Sequence, residues 1–218
     1  MFKPHTGDGM KKLILMATVL LASASFAADK KDNKKKPADK PAAVEVKKMD
    51  ITGGIKWTGY GVGKSHTGDI TLKSGFVEMK GDVPTGGEFV LDMESLKTAD
   101  SPKLQGHLQS PDFFDVKKFT TGQFKITTIE AIKDAAAGAP NYKITGDLTI
   151  KDKKHAETFM ATITKKDGVF TAHGETEIKD RTQYDIVYNS QKFKAASVLG
   201  DKLIEDKIKI VFDVQTKK

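Results

Sequence analysis

Residues able to carry chemistry are few in this chain and poorly grouped. Beyond the N-terminal region stand four histidines, His66, His107, His155 and His173, and none forms the close pairs by which helices and strands offer ligands to a metal. The sequence has no cysteine, which removes thiolate ligands, cysteine nucleophiles, disulfides and lipid attached to an N-terminal cysteine. Serine, threonine and carboxylates are present without a glycine-flanked nucleophile elbow. Gly59, Gly61 and Gly63 alternate with Tyr60, Val62 and Lys64, and no helix-forming stretch follows them. They read as a bend or bulge in a strand, not as a phosphate loop. No metal, cofactor or catalytic group is expected from these residues. Two side chains remain as candidates for contact with a ligand headgroup. His66 precedes a strand within Ser65–Gly68, and its simpler reading is a loop histidine bonded to backbone. Arg181 follows Asp180, and its simpler reading is a surface ion pair. Phe113–Phe114, the densest aromatic pair, reads either as a plug of apolar bulk or as part of a ligand wall.

The elements that must position these residues show a period of two. Ile144, Gly146, Leu148 and Ile150 alternate with Thr145, Asp147, Thr149 and Lys151; Ile208, Ile210, Phe212 and Val214 alternate with Lys209, Val211, Asp213 and Gln215. Phe89, Leu91 and Met93 make a third apolar face, Phe170, Ala172, Thr176 and Ile178 a fourth, and Phe124 with Ile126 opens a fifth. Turn signals are read at Lys73–Gly75, Thr85–Gly87, Ala137–Asn141 and Lys166–Gly168. Short strands so punctuated predict an all-β antiparallel sandwich or barrel. Ser101–Pro102 is an N-cap with proline at the first helical position, predicting one short helix from Pro102 to Gln109. A further helical turn around Lys192–Val198 is weakly signalled.

The formal charge of +7 suggests nucleic acid until it is located. Met1–Ala27 carries three lysines against one acid and residues 28–48 carry eight lysines against four acids, leaving 25 basic against 24 acidic residues from Met49 onward. A nearly neutral domain lacks the basic patch a nucleic-acid-binding fold carries, so no nucleic acid is expected as partner. Lys11 and Lys12, the apolar run Leu13–Leu21 and Ser25-Phe26-Ala27 together read as a signal peptide over 1–27, cleaved before Ala28 and too short to span a bilayer. Met10 would make a more ordinary start than Met1. A periplasmic or secreted location follows. Residues 28–48, rich in Lys, Ala and Pro, read as a disordered arm, a spacer with weak attraction to anionic membrane surfaces as its sharper alternative. The folded domain is expected over 49–218.

Taken in order, Trp57-Thr58-Gly59, His66-Thr67-Gly68, Gly86–Met93, Leu104–Val116, Tyr142–Ile150 and Asp180-Arg181-Thr182 resemble the motifs of the YceI-like, polyisoprenoid-binding family from about Ile51 to Gln215. The resemblance implies an extended eight-stranded antiparallel, lipocalin-like barrel whose tunnel accommodates an isoprenoid chain such as a quinone or a polyprenyl phosphate. In such a barrel one parity of each strand points inward. The ligand-binding wall is therefore expected from Phe89, Leu91, Phe124, Ile126, Ile144, Leu148, Phe170, Ile178, Ile210 and Phe212. The expected function is binding or carriage of a long isoprenoid-type lipid, not an enzymatic activity. A filled barrel acting as an interaction module is the alternative, and an enzyme acting on a lipid or small molecule is a weaker one.

Overall fold

The computed structural model describes Glu45–Lys218. The leader expected over 1–27 and the arm expected over 28–48, up to residue 44, lie outside the described residues. The nine strands are β1 (Val46–Gly61), β2 (Lys64–Lys80), β3 (Val83–Asp92), β4 (Lys97–Thr98), β5 (Thr121–Ala131), β6 (Tyr142–Ile150), β7 (Lys153–Lys166), β8 (Val169–Ile178) and β9 (Ile204–Thr216). Two α-helices accompany them, α1 (Pro102–Gln109) and α2 (Ala196–Leu199), with short 3-10 turns at Met93–Ser95, Arg181–Tyr184 and Gly200–Lys202. β1 begins at Val46, three residues inside the segment read as the arm. Val46, Met49 and Ile51 do not keep one parity and announce no strand by themselves, and pairing with β2 at Val46↔Lys80 supplies what composition lacks.

All pairings are antiparallel, in the order β1-β9-β8-β7-β6-β5-β3-β2-β4, and β2 pairs back onto β1. The eight long strands thus close a barrel, with the two-residue β4 laid against β2 at Gly68 and Asp69. Closure leaves no open edge among these eight and sends one parity of each strand to the interior.

The hairpins have local causes. Lys151–Asp152 and Asp167–Gly168 hold positive φ at both central residues, the backbone twist that suits a two-residue connection between right-twisted strands. The second of these is the Lys166–Gly168 turn expected from sequence, and Ala137–Asn141 lies in the β5–β6 connection as expected. The other two expected turns are not turns. Lys73–Gly75 lies inside β2, at a bulge opposite β3 between Leu72 and Ser74. Thr85–Gly87 lies inside β3, and the chain reverses earlier, at Gly81–Asp82. The glycines there serve close approach: a Cβ on Gly75 would stand 2.9 Å from the carbonyl oxygen of Glu88. Gly59–Gly61 is likewise a bulge, in the pairing of β1 with β9.

α1 matches its expected bounds. The Ser101 hydroxyl accepts from the Leu104 N–H at 3.2 Å and Pro102 opens the helix where no N–H is needed. The second helical turn forms as α2, four residues long. The interior is packed in two clusters. One gathers Trp57, Ile70, Met93, Leu96, Leu108 and Phe113 under α1; the other gathers Phe124, Ile144 and Ala161 with Phe89, Phe159 and Phe212 around them.

Candidate functional site

Strand parity fixes what the barrel encloses. An inner cavity of about 160 Å³ is lined by all ten residues expected on the wall: Phe89, Leu91, Phe124, Ile126, Ile144, Leu148, Phe170, Ile178, Ile210 and Phe212. An apolar void of this size stays dry and accepts a small hydrocarbon group, since one of roughly 150 Å³ does so. Four phenylalanines form an arc across β3, β5, β7 and β9: Phe89–Phe124 at 6.3 Å, Phe124–Phe159 at 4.9 Å and Phe159–Phe212 at 4.9 Å between ring centroids. Glycine makes room for two of these rings. A Cβ on Gly146 would overlap the Phe124 ring, and one on Gly174 the Phe212 ring, so the aromatics lie back against the sheet and leave the centre open.

A second, outer cavity of about 320 Å³ continues toward the end formed by the β1–β2 hairpin, α1 and the segment before β9. Ile55, Leu91, Ile150, Ile178 and Ile210 border both cavities and form a collar between them. The outer cavity differs in chemistry. Trp57, Leu104, Leu108, Phe113 and Phe114 line it together with Tyr60, Lys64, His66, His107, Asn189, Lys202 and Lys207. Phe113 and Phe114 thus both close this end and face the cavity. His107 stacks edge-on to Phe113 and Tyr188 at 5.0 and 4.7 Å, and its Nε2 lies 2.9 Å from Asp112 Oδ2.

His66 lines the outer cavity, with Nδ1 3.3 Å from Asp100 Oδ2, an ion-pair distance without hydrogen-bond alignment. The Thr98 hydroxyl, then His66, holds the exposed Asp100 carboxyl below its ordinary value. Arg181 departs from its expected role. It is 2% exposed, and its guanidinium donates to the carbonyl oxygens of Glu205, Ile186, Tyr188 and Ile204 at 2.6–3.2 Å, with Asp206 at 3.6 Å. It is not a surface pair with Asp180; it borders the outer cavity, with its N–H donors engaged by those backbone carbonyls. Asp180 instead bonds Thr182 and Lys192. Arg181 ties the segment after β8 to the start of β9, and a fork of N–H donors suits that task because it reaches the loop carbonyls of Ile186 and Tyr188 together with those of Ile204 and Glu205 at the strand's beginning. Burial pulls its pKa down, opposed by Asp206 and Asp180.

Sequence reasoning missed β7. His155, Glu157, Phe159, Ala161 and Ile163 form its inward series, although Met160, on the other parity, is 41% exposed and Glu157 borders the inner cavity. With apolar residues on both parities, the strand alone does not reveal its buried face. The pairing Ile144↔Phe159 would have revealed it. The Tyr184 hydroxyl, wholly buried, donates to Glu157 Oε1 at 3.0 Å, and the His155 ring nitrogen lies 3.0 Å from the Gln183 carbonyl oxygen. Burial raises the Glu157 carboxyl above its ordinary value, the Tyr184 hydrogen bond opposing the shift. Burial and the Glu157 charge also push the Tyr184 phenol up. Among the described residues no three of His, Cys, Asp and Glu gather in a way that could hold a metal ion.

With this geometry in view, comparison with known proteins is informative. A family model for the YceI-like domain matches residues 39–216. Two solved structures share the fold. BcnA of Burkholderia cenocepacia is 21% identical, with a TM-score of 0.59 over 76% of this chain and 96% of that one. A polyisoprenoid binding domain from Saccharophagus degradans, implicated in plant cell wall breakdown, is 11% identical, with a TM-score of 0.58 over 78% and 99%. A search of curated proteins gives no significant match.

Proposed function

This chain belongs to the YceI-like family, and on that premise we propose that it holds a long apolar lipid of isoprenoid type, a prenyl quinone or polyprenyl phosphate, inside the barrel. The observation that carries the reading is the interior itself: ten apolar side chains from five strands bordering a cavity that their own bulk leaves unfilled. A barrel serving as an interaction module needs no such space. Each buried methylene-sized group contributes about 0.8 kcal/mol, so a five-carbon unit supplies on the order of 3–4 kcal/mol before the cost of ordering the chain. A few units suffice, and the polar rim of the outer cavity, with Lys64, His66 and Lys202 beside a Lys207 paired to Glu205, suits a headgroup that is anionic or accepts hydrogen bonds. The polyisoprenoid-binding description of one structural neighbour points the same way.

An enzymatic role has less support. Glu157 is the one titratable side chain among the described residues lining the inner cavity, and no serine, threonine or cysteine lines the outer one. A lone carboxyl in the inner cavity supplies no acid–base pair, and in the outer cavity His66 and His107, beside Asp100 and Asp112, have no serine, threonine or cysteine of that lining to activate. We place the protein outside the cytoplasm, in the periplasm or secreted, on the strength of the leader-like residues 1–27. The lysine-rich stretch that follows then acts as a spacer.

The test is titration of purified protein with a prenyl quinone or prenyl phosphate, alongside Phe170→Leu and Leu148→Asp. Saturable one-to-one binding is expected, changed in affinity by Phe170→Leu and abolished by Leu148→Asp, which brings an unpaired charge into an apolar space. Absence of saturable binding by the wild type, with no lipid in its organic extract, would return the reading to the interaction module.

A further inference from the structure

Apolar side chains turned toward solvent gather at the outer-cavity end. Phe193 and Val198 are each 65% exposed, the highest values among large apolar residues described, and Val62 is 55% exposed at the tip of the β1–β2 hairpin. Phe193 and Val198 belong to Gln191–Val198, eight consecutive exposed residues between fully buried Ser190 and buried Leu199. The projection is held in shape from its base. The Phe193 and Lys194 N–H groups donate to the Ser190 carbonyl oxygen at 3.2 and 3.1 Å, and the Lys192 N–H donates to the Ser190 hydroxyl at 3.2 Å. Its flanks border the outer cavity, through Tyr188 and Asn189 on one side and Lys202 and Leu203 on the other. Gly61 of the hairpin pairs with Ile204 directly after it.

Charge identifies the occupant. The segment 187–203 holds Lys192, Lys194 and Lys202 against Asp201, and Lys64 stands on the cavity rim beside it. Among the described residues Lys64, Lys194 and Lys202 have no carboxylate within ion-pair distance. Lys192 is held by Asp180, but the bulky apolar groups stand with the unpaired Lys194, Lys64 and Lys202 and so match the boundary between acyl chains and anionic headgroups, where the ring and branched chain enter hydrocarbon and the ammonium groups stay among phosphates. A protein partner would more typically meet a flat apolar core with its charges excluded to the rim.

We propose that Gln191–Val198, with Val62 beside it, docks on an anionic bilayer by inserting Phe193 and Val198, and so sets the mouth of the outer cavity against the membrane that supplies or receives its lipid. The docking rests on exposure and charge; what passes through the mouth rests on the lipid-binding reading above.

The experiment uses the full chain with vesicles of phosphatidylglycerol and phosphatidylcholine, or of phosphatidylcholine alone. Trp57 is the single native tryptophan and is buried, so Phe193→Trp adds a reporter at the tip. Its emission is expected to shift to the blue on anionic vesicles and to be quenched by brominated acyl chains. Phe193→Asp with Val198→Asp is expected to weaken vesicle partitioning roughly tenfold or more, and Lys194→Glu about fivefold or more on anionic vesicles with little change on neutral ones. The lysine-rich N-terminal stretch is common to every variant and cancels in these comparisons. None of the three residues lines either cavity, so prenyl-quinone binding from solution is expected to persist in each variant. An unshifted Phe193→Trp emission together with unchanged partitioning of the Asp pair overturns the proposal. A blue shift that follows protein concentration without vesicles overturns it too, assigning the patch to a second copy of the chain. Docking by a wild type that binds no prenyl chain would sink the carrier reading alone.

Discussion

Glu157 is the one titratable side chain at a cavity lined mostly by apolar residues, with the buried Tyr184 hydroxyl as its donor, His155 along the same strand and Lys179 near enough to matter electrostatically. Because burial lifts its pKa in the folded protein above the ordinary 4.5, the folded state retains a proton that the unfolded state gives up first. The sign follows: this carboxyl favours folding most below the unfolded value, and that contribution is lost as pH rises through the folded one. Asp100, Asp180 and Glu175 are shifted the opposite way and favour folding above their unfolded values. Comparison with Glu157→Gln isolates the one group. Urea midpoints measured across pH should show wild type losing stability relative to the variant as pH rises from about 4 toward neutrality. A wild-type-minus-variant difference that stays constant over that range would mean the carboxyl is solvated in the folded protein.

Among the elements, the glycine-backed aromatics set the bore. Gly174 faces Phe212 directly across β8 and β9, and a Cβ there would meet both the ring and the Met160 carbonyl oxygen. Gly174→Ala is therefore expected to cost about 1–3 kcal/mol through overpacking, although alanine is ordinarily the better strand residue. Thermal melts check it, with Phe212→Leu expected to restore part of the loss when combined. A variant as stable as wild type would show that the ring has room to move inward. The sequence announces this layer well where apolar and polar residues alternate cleanly, as in β6 and β9, and Ser101-Pro102 places α1 to the residue. It misleads where glycine does two jobs: the same residue type that permits a turn also permits a bulge or a close strand approach, so Lys73–Gly75 and Thr85–Gly87 read as turns while lying inside strands. Arg181 was legible as a position, but not as a clamp. Its partners are carbonyls of Ile186, Tyr188, Ile204 and Glu205, and a backbone acceptor carries no signature in side-chain sequence.

For the whole molecule, the collar of Ile55, Leu91, Ile150, Ile178 and Ile210 matters most, because it divides the interior into cavities of about 320 and 160 Å³ in series. On the lipid-binding reading proposed above, a short prenyl chain would fill the outer one without displacing the collar, and a longer chain would have to turn those side chains to other rotamers before gaining contact with the phenylalanine arc. Calorimetry over prenyl chains of increasing length should show affinity rising, levelling, then rising again. Ile178→Val, at a stability cost of about 0.5–1.5 kcal/mol, should shorten the level stretch. A smooth rise in the wild type would mean the collar yields without resistance.

The pairing of β1 with β9 ties Ile51 to Thr216, the two ends of the described domain. The other neighbours in the barrel form as the chain lengthens, by hairpins or, for β3 with β5 and β8 with β9, across one intervening segment, but this seam joins the first strand to β9 and cannot be sewn until β9 exists. Loop-closure entropy across the whole domain must be met at once, which places the molecule among slow folders of high contact order. Until Ile204–Thr216 arrives, β1 and β8 keep exposed edges, and the apolar faces of an unclosed sheet have no interior to occupy. A polypeptide in that condition is easily threaded, easily held by a chaperone and easily aggregated. Its final thirteen-residue strand therefore decides when the barrel, and with it any place for a lipid, comes into being.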